Sequence, residues 1–122
     1  MSKVVVVDDE PFILMMIEDK LKTAQIDVVT VRESVHALER IRKERPDLVI
    51  LDWMMPGLSG IDLCRLIKAD PDLRDIPIFM LTAKGQDADE EQGMQCGVSR
   101  YITKPFSPRS LVEMVQETVG SV

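Results

Sequence analysis

The chain has 122 residues, of which 45% are hydrophobic and 30% are charged, and its formal net charge is -6 at pH 7. This length suits one hydrophobic core and is too small for two, and the negative charge argues against direct nucleic acid binding by the domain. No apolar run approaches the roughly 18 residues of a membrane span and no signal peptide precedes the first apolar run, so we expect one cytoplasmic domain over residues 1–122, without membrane contact.

Five short runs of apolar or β-branched residues predict strands. They lie at residues 4–7, 28–31, 48–51, 76–81 and 101–103. The first and third runs, VVVV and LVIL, are unbroken, as expected for strands that are buried on both faces. The second run contains Thr30 and is flanked by Asp27 and Arg32. Its polar residues place it at an edge of the sheet.

Segments with the helical spacing of apolar residues alternate with these strands. They cover residues 11–23, 34–45, 59–69 and about 87–96, and a fifth begins at Ser107 with Pro108 in the first helical position. The fourth segment has Asp87 and Glu90 at the spacing of a capping box. It offers few apolar anchors and contains Gly93, which costs about 1 kcal/mol relative to Ala, so we expect this helix to be weakly held.

The alternation of strands and helices predicts a parallel sheet covered by helices on both faces. With the second strand at an edge, the favoured strand order is 2-1-3-4-5. The predicted fold class is therefore α/β, a flavodoxin-like doubly wound (βα)5 three-layer sandwich. Ligands of such sheets bind at the carboxyl ends of the strands, near the point where the strand order reverses.

Polar side chains follow four of the five predicted strands at that edge. They are Asp8, Asp9 and Glu10 after the first strand, Asp52 after the third, Thr82 after the fourth and Lys104 after the fifth. Any one of them could be an ordinary strand terminator, and Asp8 or Asp9 could cap the helix that begins at Pro11. Because all of them converge on one edge, a functional site is the better interpretation.

The chemistry of this set points to a cation and a phosphoryl group. Close carboxylates repel, at ~4 kcal/mol per pair for 4 Å and an effective dielectric constant of 20, and an oxygen-only site with room for water suits magnesium better than calcium or zinc. The sequence contains no glycine-rich nucleotide-binding loop. An Asp can attack phosphorus to give an acyl phosphate, which a cation, Lys104 and Thr82 could stabilise.

The two cysteines, Cys64 and Cys96, lie far apart in the sequence and have neither CxxC spacing nor histidine companions. We therefore expect neither a zinc site nor a disulfide framework. Both are interpreted as reduced, half-buried helix residues.

Four motifs resemble those of the receiver domain of two-component response regulators, including chemotaxis regulators. In chain order they are VVVVDDEP, LVILDWMMPGLSG, IFMLTAKG and YITKPFSP. Each is weak alone, but the four together, in order and at the ends of strands one, three, four and five, are highly specific. The resemblance covers essentially the whole chain.

The resemblance implies that Asp52 is the phosphoacceptor. It also implies that Asp8, Asp9, Asp52 and the backbone carbonyl of Met54 hold a magnesium ion. Met54 and Lys84 occupy positions that look like the variable ones flanking the phosphorylation site in the family. These two residues are candidates for tuning the lifetime of the acyl phosphate.

The resemblance further implies that Thr82 and Lys104 contact the phosphoryl group, that Thr82 and Tyr101 are switch residues, and that the Lys104–Pro105 peptide bond is cis. Trp53, next to the nucleophile, either lines the pocket or packs in the core. We favour the pocket wall.

The function implied by the resemblance is a phosphorylation-dependent switch in two-component or phosphorelay signalling. A histidine kinase or phosphotransfer protein would phosphorylate Asp52, and the face made by the fourth helix, fifth strand and fifth helix would change partners. Those partners would be a downstream protein or an output domain. A homodimer that forms on phosphorylation is an alternative outcome. The domain would be no enzyme beyond catalysing its own phosphorylation and dephosphorylation.

Two other functional classes share parts of this pattern. An aspartyl-phosphate phosphatase of the haloacid dehalogenase type also uses an Asp nucleophile and magnesium, but it requires a second Asp two residues later, where this chain has Met54. A flavodoxin-like electron carrier would need hydroxyls and amides for a flavin phosphate in the first turn, where this chain has carboxylates. Both alternatives rank below the receiver.

Overall fold

The computed structural model describes residues 2–83 and 96–120. Five strands form one parallel sheet in the order β2-β1-β3-β4-β5. The strands are β1 (Lys3–Val7), β2 (Asp27–Val31), β3 (Leu48–Asp52), β4 (Ile78–Ala83) and β5 (Arg100–Lys104). The predicted fold class and strand order are confirmed.

The helices of the described residues pack on both faces of this sheet. They are α1 (Pro11–Thr23), α2 (Ala37–Glu44), α3 (Gly60–Ala69) and the C-terminal helix (Pro108–Val119). A 3-10 turn at Ser34–His36 precedes α2, so the predicted second helix begins less regularly than expected. Most of the predicted fourth helix, together with Asp87, Glu90 and Gly93, lies outside the described residues. Within the described part of the chain, no helix is long and apolar enough to cross a membrane.

Strand β4 begins two residues later than predicted and extends beyond Thr82. The reason is local, because the N–H of Ile76 donates to Leu73 O in a turn, at 3.0 Å, and Pro77 has no N–H to give to a ladder. The first residue free to join the sheet is therefore Ile78. The longer carboxyl end places Thr82 inside the strand.

The sheet separates two hydrophobic clusters. Val5 and Val7 of β1 face α2 and α3, whereas Val4 and Val6 face α1 and the C-terminal helix. All four are fully buried. Burial on both faces explains why β1 and β3 are continuous apolar runs rather than alternating ones.

Capping interactions fix where the helices that flank the candidate site begin. Helix α3 has a capping box, in which the N–H of Asp62 donates to Ser59 Oγ and the N–H of Ser59 donates to Asp62 Oδ2, both at 3.1 Å. The C-terminal helix begins with Ser107 as its N-cap, whose Oγ accepts from the Ser110 N–H at 3.2 Å, followed by Pro108. Each cap lies shortly after a strand that contributes to the site.

The start of α3 lies directly against the end of β3. The Gly60 N–H donates to Trp53 O at 3.0 Å. A Cβ atom at Gly60 would lie 2.5 Å from the backbone oxygen of Asp52 and 2.6 Å from Met80 Sδ. Only glycine allows this approach, which fixes α3 relative to the strand that carries Asp52.

We expect Gly60→Ala to lower the free energy of unfolding by about 2 kcal/mol or more, because the new methyl group would overlap a backbone atom that cannot move without disturbing β3. Urea denaturation measures this value. Arg65→Ala, on the exposed side of the same helix, is the matched control and should change stability by less than about 0.5 kcal/mol. Equal stability of Gly60→Ala and the wild type would contradict the close approach.

Candidate functional site

The carboxyl ends of β1 and β3 bring two buried carboxylates together. Asp8 directly follows β1, and Asp52 is the last residue of β3. The two strands are neighbours, and Val7 pairs with Leu51 in their register. Asp8 is fully buried and Asp52 is 5% exposed. The strand order thus joins positions that are 44 residues apart in the sequence.

The ammonium group of Lys104, the last residue of β5, lies between these two carboxylates. Its Nζ donates to Asp8 Oδ2 at 3.1 Å and to Asp52 Oδ1 at 3.2 Å. A third contact joins it to Glu10 Oε1 at 3.3 Å. The Lys104 side chain reaches across the end of β4, so one cation is shared by carboxylates from two parts of the chain, the segment after β1 and the end of β3.

Asp9 joins the three carboxylates that contact this ammonium in one acidic cluster. Asp8, Asp9, Glu10 and Asp52 each have an oxygen that lies within 4.8 Å of those of the others. Glu10 is absent from the ligand set predicted from the sequence, although its position directly after Asp8 and Asp9 was a signal for it. Since one ammonium lies among four carboxyl groups, the cluster carries an excess of negative charge when these groups are ionised and could hold a cation.

Burial and mutual repulsion disfavour the ionised forms of the two buried carboxylates, Asp8 and Asp52. Burial, followed by the charge of Asp8, raises the pKa of Asp52 to about 7, although Lys104 opposes the shift. Burial also raises the pKa of Asp8. Burial lowers the pKa of Lys104, but the charges of Asp8 and Asp52 outweigh it and leave that pKa above its usual value. Lys104 therefore keeps its proton, while Asp52 is only partly ionised near neutral pH.

The carboxylate of Asp8 is not engaged in capping α1. Its Oδ1 accepts the N–H of Glu10 at 2.9 Å, and this N–H precedes the helix. The N-cap residue is Glu10, whose side chain makes no capping bond, and Pro11 follows it. The alternative that Asp8 caps the helix is therefore wrong, and its second oxygen is available to Lys104.

Thr82 and Tyr101 lie on the same face of the sheet. Tyr101 pairs with Met80 in the register of β4 and β5 and packs against the cluster that contains Met80. Thr82 is buried and, two residues beyond Met80, projects to the same side. The Tyr101 ring lies 6.3 Å from that of Trp53 between centroids. Trp53 is itself buried in this cluster, so core packing describes it better than a pocket wall.

The loop after Asp52 leaves the Met54 side chain exposed and is hydrogen-bonded to the side chain of Ser34. Met54 is 64% exposed. The buried hydroxyl of Ser34 donates to Pro56 O at 2.8 Å and accepts the Leu58 N–H at 3.0 Å. Sequence reasoning missed this role of Ser34, because its partners lie more than 20 residues away and nothing in the local pattern indicates them. The serine fixes the path of the loop that carries Met54.

The Lys104–Pro105 peptide bond is cis, as the resemblance implies. Lys84, the other candidate for tuning the acyl phosphate, lies outside the described residues. The structure therefore brings together Asp8, Asp9, Asp52 and Lys104, and it places Thr82 and Tyr101 on one face of the sheet beside Trp53.

Residues 4–116 match the response regulator receiver domain family. The chain is 47% identical over 109 residues to the phosphate regulon transcriptional regulatory protein PhoB of Pseudomonas aeruginosa, covering 89% of this chain and 48% of that protein. It is 40% identical over 115 residues to the DNA-binding response regulator MtrA of Mycolicibacterium smegmatis, covering 94% of this chain and 49% of that one. The chain thus spans about half the length of these relatives.

Solved receiver structures superpose closely on the chain. A chemotaxis protein of Vibrio cholerae gives a TM-score of 0.90 at 30% identity, with 97% of this chain and 98% of that chain covered. The beryllofluoride-activated N-terminal receiver domain of Klebsiella pneumoniae RstA gives 0.89 at 32%, covering 98% and 100%. The receiver domain of a Pseudomonas aeruginosa sensor histidine kinase, with a magnesium ion coordinated in its active site cleft, gives 0.88 at 30%, covering 98% of both chains.

These matches favour the receiver over the two alternatives weighed from the sequence. The phosphatase would need a carboxylate at position 54, where the exposed Met54 stands. The electron carrier would need a phosphate-binding first turn, where Asp8 and Asp9 instead join a carboxylate cluster.

We expect Asp52→Asn to raise the thermal stability of the protein in EDTA, because it removes one of two buried carboxylates that repel each other. The raised pKa of Asp52 means that ionisation costs folding free energy as pH rises from 3.8 to about 7. The gain should therefore be largest above pH 7, at roughly 1–2 kcal/mol or about 5–10 °C in Tm, and should vanish near pH 4.

Thermal unfolding followed by circular dichroism across this pH range measures the effect. Asp75→Asn, which neutralises an exposed carboxylate, is the matched control and should leave Tm unchanged. A lower Tm for Asp52→Asn at pH 8 would show that the carboxylate stabilises the fold and that this account of the site is incorrect.

Proposed function

The chain belongs to the response regulator receiver domain family, and on that premise we propose that Asp52 is the residue that accepts a phosphoryl group from a histidine kinase or phosphotransfer protein. The observation that carries the proposal is the position of the Lys104 ammonium, 3.2 Å from Asp52 Oδ1 and 3.1 Å from Asp8 Oδ2. A buried nucleophile is thereby held next to a cation and an acidic cluster, as phosphoryl transfer requires.

The residues of the cluster fit a magnesium ion. We propose Asp8, Asp9, Asp52 and the backbone carbonyl of Met54 as its ligands, a set of oxygen donors of the kind that magnesium prefers. The negative excess of the cluster, with oxygens within 4.8 Å of one another, favours a divalent cation. When bound, the ion would neutralise this charge and polarise the phosphoryl oxygens.

The transfer itself needs little from the protein beyond position and charge. The ionised carboxylate of Asp52 attacks phosphorus, the new O–P bond forms, and the N–P bond of the phosphohistidine breaks with its electron pair left on the imidazole. Lys104, already beside Asp52 Oδ1, offers its ammonium to the oxygens of the transferring group. Water attack on the acyl phosphate returns Asp52 and inorganic phosphate, so the domain would catalyse only its own modification and its reversal.

Phosphorylation would be transmitted through Thr82 and Tyr101. The Thr82 hydroxyl would hydrogen-bond a phosphoryl oxygen, and the Tyr101 ring would change its packing. The position of both residues on one face of the sheet supports this route, as does the contact of Tyr101 with Trp53, the residue after Asp52. The surface that responds would consist of the predicted fourth helix, β5 and the C-terminal helix.

The partners of that surface would be a downstream protein or an output domain. We include an output domain because the relatives named above are transcriptional or DNA-binding regulators about twice as long. A homodimer of the phosphorylated domain is a further outcome of the same surface change. Met54 and Lys84 would set the lifetime of the acyl phosphate.

Acetyl phosphate with magnesium should label the wild type with an acid-labile, hydroxylamine-sensitive phosphoryl group, and Asp52→Asn should abolish the label because the nucleophilic oxygen is lost. Intact-mass spectrometry gives the stoichiometry. Asp75→Asn, a distant exposed carboxylate, should label like the wild type. Full labelling of Asp52→Asn would refute the assignment.

Lys104→Met should distinguish two proposed effects of the Lys104 ammonium, its competition with magnesium and its stabilisation of the transferring phosphoryl group. Removing a positive charge about 3 Å from two proposed metal ligands should tighten magnesium binding at least tenfold. The same change should slow labelling by acetyl phosphate about 100-fold, because the charge beside the transferring group is lost.

Magnesium titration followed by the fluorescence of Trp53, the only tryptophan of the chain, measures the affinity, and mass spectrometry measures the labelling rate. Lys22→Met, on the surface of α1 with its side chain paired to Glu18, is the control. Weaker magnesium binding by Lys104→Met would contradict the proposed competition between the ammonium and the ion.

A further inference from the structure

The two cysteines of the chain, 32 residues apart in the sequence, lie close together: Cys64 contacts the backbone of Cys96, and Cys96 contacts the backbone of Ile61, one turn before Cys64 in α3. Cys64 Sγ lies 3.7 Å from Cys96 O, and Cys96 Sγ lies 4.0 Å from Ile61 O. Both thiols are free. Cys96 is half-buried as expected, whereas Cys64 is fully buried, and the separation of the two residues in the sequence hides the fact that they are neighbours.

The contact lies in a packed part of the fold. Cys64 is a fully buried residue of α3, and Cys96 is a half-buried residue that packs against the same hydrophobic cluster. Val98, two residues after Cys96, is buried in that cluster as well. Gly97 comes so near to α3 that an added Cβ would lie 3.3 Å from the Lys68 side chain. The backbone of α3 and that of the two residues after Cys96 are thus held close together.

We propose that Cys64 and Cys96 are a redox site that closes to an intramolecular disulfide on exposure to peroxide and reopens with a dithiol. The Cys96 thiol loses its proton, its sulfur attacks one oxygen of hydrogen peroxide and becomes a sulfenic acid, the O–O bond breaks, and the other oxygen leaves as water with that proton. The Cys64 sulfur then attacks the Cys96 sulfur, the S–O bond breaks, and the departing hydroxyl leaves as water with the Cys64 proton. Two thiols have then given two electrons to one peroxide.

The surroundings of the two thiols set the order of these steps. Cys96 is the more accessible thiol and is the one that peroxide can reach. Cys64 is enclosed, and burial followed by the nearby Cys96 raises its pKa to about 12, so it does not react with peroxide directly. Cys64 is consequently the resolving thiol, which condenses with the oxidised form of a residue whose backbone oxygen it already contacts.

A disulfide at this position would join two elements that flank the phosphoacceptor site. Helix α3 begins against the backbone of Asp52. Cys96 precedes β5, which carries Tyr101 and Lys104. The bond would fix the chain entering β5 to α3. It would be a second covalent modification of the domain, besides phosphorylation, and its formation would require neither magnesium nor Asp52.

The test uses the full chain at low concentration, treated with a modest molar excess of hydrogen peroxide and then digested with trypsin under non-reducing conditions. The chain has only two cysteines, and cleavage after lysine and arginine places them in the peptides 44–65 and 85–100. We expect the protein to lose the mass of two hydrogen atoms, these two peptides to appear linked, and dithiothreitol to reverse both changes.

Two variants distinguish disulfide formation between Cys64 and Cys96 from independent oxidation of each cysteine. Cys96→Ser should give no oxidised cysteine in the 44–65 peptide, because the remaining thiol is buried. Cys64→Ala should accumulate Cys96 with two or three added oxygens, because no resolving thiol is present. Circular dichroism confirms that each variant is folded before treatment. Wild-type protein that gains oxygens at Cys96 as fast as Cys64→Ala, or that forms intermolecular disulfides instead, would overturn the proposal.

Discussion

The shared contact of Lys104 with Asp8 and Asp52 is the constraint around which the molecule is organised. Two buried carboxylates at the ends of adjacent strands repel, and at 4 Å and an effective dielectric constant of 20 the repulsion is ~4 kcal/mol. Burial and, after it, this repulsion raise the pKa of Asp52 even though an ammonium from β5 lies beside it. The strands that deliver these carboxylates must therefore be strongly held by other interactions.

The apolar runs before the two carboxylates supply that stabilisation. Every residue of 4–7 and of 48–51 is fully buried, and burial of one such side chain contributes about 1.5–3 kcal/mol. Eight of them outweigh one repulsive pair. These buried residues thus stabilise the strands that carry the charges, and a cation or a phosphoryl group that changed those charges would act on elements that stay folded.

Much of the fold and the site follows from the sequence, because both depend on short patterns and on one topological rule. Unbroken runs predict the central strands, and the strand order then brings residues 8, 52 and 104 to one edge. The predicted strand bounds fail where a backbone N–H is hydrogen-bonded within a turn and cannot join the sheet. This happens before β4, where the Ile76 N–H donates to Leu73 O and Pro77 has no N–H to donate. Predictions also fail where a contact joins distant segments, as between Ser34 and the loop at Pro56, or between Cys64 and Cys96. Sequence spacing carries no information about those pairs.

The packing around Asp52 indicates which element can respond to a change at that residue. Helix α3 cannot move relative to β3, because Gly60 has no room beside the Asp52 backbone and its N–H is bonded to Trp53 O. Tyr101 of β5, in contrast, is only half-buried. The centroid of its ring lies 6.3 Å from that of the Trp53 ring, and the two ring planes are tilted by 40°. A ring contact of this kind can be rearranged without breaking the sheet, whereas the α3 contact cannot. The response to a new charge at Asp52 should consequently travel toward β5, and α3 should act as the fixed support against which β5 moves.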